Sequence, residues 1–445
     1  RLTPSQPPVD DSPQELLAAV AEKPPKAEPE INLLPNWNHL VDYELESDLL
    51  RRVPEIGLSL DQAEEALSKV SKSTPKDELI LGPNETVLAL LEKTKVEGLP
   101  FQTNSDCKLH QMKASALQEY SRNLHRTITR HQARFPNHSD SFSSDPQAQK
   151  ELQQFGLADA VGTTDYYNKE SAVPALVQIL QTESPPVRYK LVDMLKSRNT
   201  PEATRRLLNR ALYDLSQDVR QAANEALKER HPEEFRAELL NALRYPWEPV
   251  AWHAAETLIH INDEEAIPAL IDLLDAPNPS APYKNKSGKV MIRELVKVNH
   301  LRNCLLCHAQ SHDRKDLVAA PVPVPGQRLP QVYYSSFRRS RSVFVRADVT
   351  YIRQDFSLVH DVKLQKLERR GEWPERQRFD YFVRTREANP EEISLHKKTS
   401  AREKLRYSQR EAVLVALRTL TRENLGDDSE EWKPLKTVVR GKPYE

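Results

Sequence analysis

The nine residues Ala172-Val173-Pro174-Ala175-Leu176-Val177-Gln178-Ile179-Leu180 return almost unchanged, 94 residues later, as Ala266-Ile267-Pro268-Ala269-Leu270-Ile271-Asp272-Leu273-Leu274. A second pattern recurs between them at spacings of 32 and 31. It reads Pro186-Val187-Arg188-Tyr189-Lys190-Leu191, then Asp218-Val219-Arg220-Gln221-Ala222-Ala223, then Pro249-Val250-Ala251-Trp252-His253-Ala254. Ninety-four is three periods of about 31, so both patterns belong to one repeating unit. Each segment carries apolar residues at helical spacing. A pair of such helices cannot bury its two apolar stripes alone, so neighbouring pairs have to stack. The spacing predicts paired helices over 165–275.

Through the A-(V/I)-P-A-L helix and the D/P-V-R helix, this stretch resembles the HEAT-repeat family. The resemblance implies a mainly α fold, a HEAT-like α-solenoid, and a surface for docking a protein partner; a repeat of this kind predicts shape more than chemistry. Residues 408–420, with Ala412, Val413, Val415, Ala416, Leu417 and Leu420, read as one more helix of the same type. The following Leu425-Gly426-Asp427-Asp428, leading to Trp432, resembles the closing segment of bacterial HEAT-repeat proteins, so 401–445 is expected to be a C-terminal helix and cap.

The rest of the 445 residues divide by composition. Thirty-three prolines against ten glycines describe helices begun at proline rather than glycine-rich hairpins. Residues 1–35, rich in Pro, Glu and Ala, read as a flexible tether with one short helix at 13–22. A helical region is expected over 36–164, with helices at 59–70, 85–93 and 111–132. Residues 276–400 break the pattern. There a helical run is expected at 289–301, followed by a small irregular, β-containing insertion with strands at 333–337, 343–356 and 379–383. No stretch has the roughly 18 apolar residues of a membrane span. The net charge of −1 gives no reason to expect nucleic acid, although 1–80 holds sixteen acids against eight bases and 317–347 five Arg and no acid.

One short motif carries chemistry: Cys304-Leu305-Leu306-Cys307-His308. Two Cys three residues apart, with His directly after, have the spacing of covalent haem attachment. With three Cys and thirteen His in the chain, random placement produces such a match with a probability of roughly 6 in 10,000. Over these five residues the chain resembles c-type cytochromes. That resemblance implies one haem c, thioether-linked through Cys304 and Cys307, with His308 as the proximal iron ligand. The last Met is Met291, before the motif, so a downstream Met ligand is excluded. The distal position is left to His253, His260, His360 or His396, to an earlier Met (Met112, Met194 or Met291), or to no protein ligand.

Other uses of the pair stand beside this one. A zinc site could draw on Cys304, Cys307 and His300, His308 or His312, although no second CxxC completes it. A Cys304–Cys307 disulfide or two buried thiols would be structural only. No P-loop, G-x-S-x-G, H-E-x-x-H or dinucleotide fingerprint is present. The sequence therefore leads to two expectations. The first is a haem-bearing electron-transfer protein, periplasmic or otherwise extracytoplasmic as the c-type resemblance implies, docked to a redox or assembly partner in solution or in a membrane-associated complex. The second is a non-enzymatic interaction scaffold whose cysteine pair is a structural disulfide or zinc site.

Overall fold

The computed structural model describes residues 43–70, 173–183, 185–312, 319–328, 343–400 and 405–436. The tether, the segments expected at 85–93, 111–132 and 333–337, and Cys107 lie outside them. The described chain opens with α1 (Tyr43–Arg52), a two-residue strand β1 (Glu55–Ile56) and α2 (Leu60–Val70). The last is the helix expected at 59–70, and it buries Leu60, Ala63, Ala66, Leu67 and Val70 along one stripe.

The repeat array follows as α3 (Val173–Leu180), α4 (Pro185–Lys196), α5 (Pro201–Tyr213), α6 (Gln217–Leu227), α7 (Arg236–Ala242), α8 (Glu248–His260) and α9 (Ile267–Leu274). Proline stands in the first turn of α5, α8 and α9, where its missing N–H costs nothing. The Val that heads each second helix, Val187, Val219 and Val250, is at most 1% exposed. The Arg after the first two of these joins the repeats. Arg188 makes a two-pronged ion pair with Asp214, at 2.8 and 2.9 Å, and Arg220 donates to the Asp214 carbonyl at 2.8 Å.

Among the described residues the chain then leaves the array for nine elements, and here the structure corrects the sequence reading. Residues 289–301 are not a helix. Val290–Asn299 is β3, the central strand of a sheet whose order is β1-β3-β8-β7, with β2 (Tyr283–Lys284) also paired to β3. The other members follow the motif: α10 (Cys304–Cys307), β4 (His308–Gln310), β5 (Ala319–Pro321), β6 (Phe344–Thr350), β7 (Phe356–Asp361), α11 (Lys366–Arg370) and β8 (Arg376–Glu387). β4, β6 and β5 form a second, three-stranded sheet. The fold is therefore mixed, a repeat array joined to two sheets, rather than an α-solenoid with a small insertion. β1 also takes part, running parallel to β3 with Glu55 opposite Lys297.

The second half of β3, from Leu295 to Asn299, is buried on both faces, which is why it carries almost no alternation. Leu295, with Phe356, Phe379 and Tyr381 from the neighbouring strands, joins the core of the repeats. Phe356 stacks between Tyr213, at 5.2 Å, and Tyr381, at 4.8 Å between ring centroids. Val296, Val298 and Phe382 face the other way, into a second core that contains Cys304, Leu305, Leu306 and Cys307. The larger sheet is thus the middle layer, with the array on one side and the cysteine turn on the other. After β8 come α12 (Pro390–Lys398), α13 (Ser408–Thr421) and α14 (Ser429–Trp432). α13 packs on α8 and α9, and Trp432 is fully buried. No helix among the described residues is long and apolar enough to cross a membrane.

Candidate functional site

The cysteine turn is one turn of helix between two strands. Asn303 starts it, its carbonyl accepting from the Leu306 and Cys307 N–H groups. Its side chain is engaged at both ends: Nδ2 donates to the Asn299 carbonyl at 2.8 Å, and Oδ1 accepts from the Leu58 N–H at 2.7 Å. The approach of 57–58 needs Gly57, whose φ is +119° and where a Cβ would meet Asn303 Oδ1 at 2.3 Å. Gly57→Ala is expected to detach the α2 entry from the cysteine turn, with a loss of about 1–3 kcal/mol from backbone strain. A thermal melt indistinguishable from the parent would contradict this role.

Cys304 and Cys307 are unbonded thiols, 9% and 7% exposed. The Cys304 thiol points back at the His300 carbonyl, at 3.4 Å. Burial pushes the Cys304 thiol up to about 12, and pushes Cys307 well above its usual value, with Asp380 adding to the effect. Both are protonated at neutral pH, and a thiol in that state is a poor nucleophile and a poor metal ligand. Alkylation of the folded, haem-free chain at pH 8 should therefore run two to three orders of magnitude slower at these two residues than in denaturant. Peptide mapping separates them from Cys107; equal rates in the folded and unfolded chain would contradict the burial.

His308 leaves the turn in extended conformation and pairs with Thr350 on β6. Its Nδ1 lies 3.0 Å from the Val349 carbonyl, which can only accept, so the ring proton sits on Nδ1 and the Nε2 lone pair is left available. Burial, and His300 nearby, lower its pKa to about 4, so the ring is neutral at physiological pH.

The residues proposed for the distal position lie elsewhere. His253 is buried in the array, with Nδ1 2.7 Å from the Leu212 carbonyl and Nε2 3.4 Å from Glu46 Oε1. His260 pairs with Glu225 of the preceding repeat at 2.8 Å. His360 is hydrogen-bonded to the Tyr381 hydroxyl at 2.5 Å, within the strand pair that faces the array. His396 is on α12 and lines one pocket with Ile292 near the start of β3, whereas the motif follows the far end of that strand, roughly 23 Å along it from Ile292.

The histidine that does come to the motif is His300, weighed from sequence only as a zinc ligand. Its ring centroid is 6.0 Å from that of His308. Asp380 on β8 fixes it at 2.8 Å, and Asp380 is itself held by Ser357 at 2.5 Å and Arg378 at 2.7 Å. Burial alone would raise the Asp380 carboxyl, but Arg378, His300 and Ser357 more than offset this and hold it well below the usual carboxylate range. A four-ligand zinc cage does not form: among the described residues no three His, Cys, Asp or Glu converge. The two thiols are not bonded to each other in the structure.

The donor set suits a haem c: two free thiols on one helical turn, followed by a neutral imidazole whose second nitrogen is anchored by a carbonyl. The adjoining crevice, lined by Leu58, Leu60, Ala63, Leu67, Arg302 and Trp373, is apolar, but its cavity of about 10 Å³ holds about one water.

A family model for HEAT repeats matches residues 150–228 and 204–281. The array is therefore HEAT-repeat in kind, on the residues where the period of 31 was read. No curated protein and no solved structure matches the chain.

Proposed function

We propose that this chain is a HEAT-repeat protein that carries one covalent haem c on Cys304 and Cys307, with His308 as an iron ligand, and that its array docks a protein partner for electron transfer. The observation that supports it most is the His308 ring, whose Nδ1 is held at 3.0 Å by the Val349 carbonyl so that Nε2 is presented for ligation. Bound there, haem would supply a one-electron iron centre. The protein's own part is to fix the imidazole, to enclose the site between two sheets, and to exclude water with Val296, Val298 and Phe382. The folded thiols are too protonated to react, so attachment has to precede closure of the second core. Location outside the cytoplasm belongs to this reading, as the c-type resemblance implies.

A second reading is favoured by one observation: the crevice beside Cys304 is closed to anything much larger than water. In that reading the thiols are core residues and the chain is an interaction scaffold. Oxidised and dithionite-reduced absorbance spectra of the chain, exported in a host that attaches haem, distinguish the two. Sharp reduced bands with a Soret maximum are expected. A colourless, folded protein leaves the scaffold.

A further inference from the structure

His300 and His308 share the same incomplete bonding. His300 Nδ1 faces Asp380 Oδ2 at 2.8 Å, and His308 Nδ1 faces the Val349 carbonyl at 3.0 Å. Both partners accept, so each ring in its neutral form carries its proton on Nδ1 and its lone pair on Nε2. Among the described residues neither Nε2 has a hydrogen-bond partner. His300 is about a third exposed at its side chain, 32%, so solvent reaches the His300 side of the pair.

The two rings are close enough to be drawn onto one ion. With a metal–nitrogen bond of about 2.0–2.1 Å, an imidazole centroid lies about 3.2 Å from the metal. Two imidazoles on one ion then have centroids roughly 4.5–6.4 Å apart as the angle between the bonds opens from square to linear. The observed 6.0 Å lies toward the wide end of that range, beyond the roughly 5.2 Å of a tetrahedral angle, with the rings at 84° to each other, so a tetrahedral ion would draw them together by roughly 0.8 Å. Each ring also has the outer support that ligating histidines use, a carboxylate for His300 and a carbonyl for His308. The carboxylate is rigid, since Ser357 and Arg378 occupy its other oxygen.

We propose that in the haem-free chain His300 and His308 form a two-imidazole seat for a divalent transition-metal ion of the zinc, copper or nickel class. No third protein ligand joins them among the described residues, so the remaining positions go to water or to a small exogenous ligand. The seat uses neither thiol, and it does not depend on the haem reading; haem on His308 would displace it.

The test is Zn²⁺ titration by calorimetry of the full chain made in a cytoplasm without haem-attachment machinery. One saturable equivalent is expected. His300→Ala and His308→Ala should each abolish it, Asp380→Asn should weaken it roughly ten- to a hundredfold, and Cys304→Ser with Cys307→Ser should leave it unchanged. His300→Gln serves as a second variant if the alanine chain unfolds, with circular dichroism as the check on folding. Absence of saturable binding, binding unchanged in folded His300 variants, or binding lost with the thiols would each overturn the proposal. Haem is read separately, on the exported chain, so either idea can fail without the other.

Discussion

A chain with both Cys304→Ser and Cys307→Ser, exported in a host that attaches haem, is expected to be purified without covalent haem, a complete loss rather than a partial one. Thioether bonds form only at sulfur, and serine offers none. The exchange removes little packing: each sulfur is one atom within the core of Val296, Val298 and Phe382. The double variant should therefore keep its secondary structure, and its circular dichroism separates lost haem from lost fold. His308→Ala tests a different part of the same site. It leaves both sulfurs and removes the imidazole that Val349 orients, so any haem retained should show a shifted Soret band. Covalent haem on the double serine variant would place the attachment elsewhere in the chain.

The second large effect is structural. Asp214→Ala should destabilise the repeat array by about 3–5 kcal/mol, because it leaves buried cations without their counter-charge. Asp214 is fully enclosed, Arg188 pairs with both its oxygens, and Arg210 approaches at 3.4 Å. The same carboxylate accepts from the Ser216 N–H at 3.0 Å, just ahead of α6. Burial alone would raise its pKa, but Arg188 and Arg210 more than offset this and the net shift is downward. A carboxyl depressed in the folded state contributes stability that is present above its unfolded value, about 3.9, and is lost as the pH falls through the folded value. The loss in Asp214→Ala should accordingly be largest at neutral pH and shrink in acid. Adding Arg188→Met to Asp214→Ala should recover part of it, since an apolar side chain leaves no charge stranded. Denaturant melts check this; a loss below about 1 kcal/mol at pH 7 would show that the pair is not what joins the repeats.

The array was legible in the sequence because its contacts are local. Val187, Val219 and Val250 mark each second helix, and the helices of 173–274 pack on neighbours one or two periods away, so spacing alone carries the information. The sheets were less legible because their contacts are distant. β3 pairs Met291 with Glu387 and Asn299 with Phe379, and nothing near either strand announces the other. Its sequence also misleads: Met291, Leu295 and Val298 fall at helical intervals, and burial of its second half on both faces removes the alternation that would have marked a strand. The candidate site divides in the same way. The spacing of Cys304, Cys307 and His308 identified the motif, whereas the role of His300 depends on Asp380, eighty residues later, and that of His308 on Val349. The only local signal for His300 was a histidine four residues before the first cysteine.

The central claim is that Cys304-Leu305-Leu306-Cys307-His308 holds haem, and its most direct measurement is the reduced pyridine haemochrome spectrum of the exported chain after acid–acetone extraction. The account predicts that one equivalent of haem stays with the polypeptide and maps to the peptide containing Cys304 and Cys307. A folded chain that gives up all its haem to the solvent, or that never carried any, would contradict it and leave a HEAT-repeat scaffold with two buried thiols.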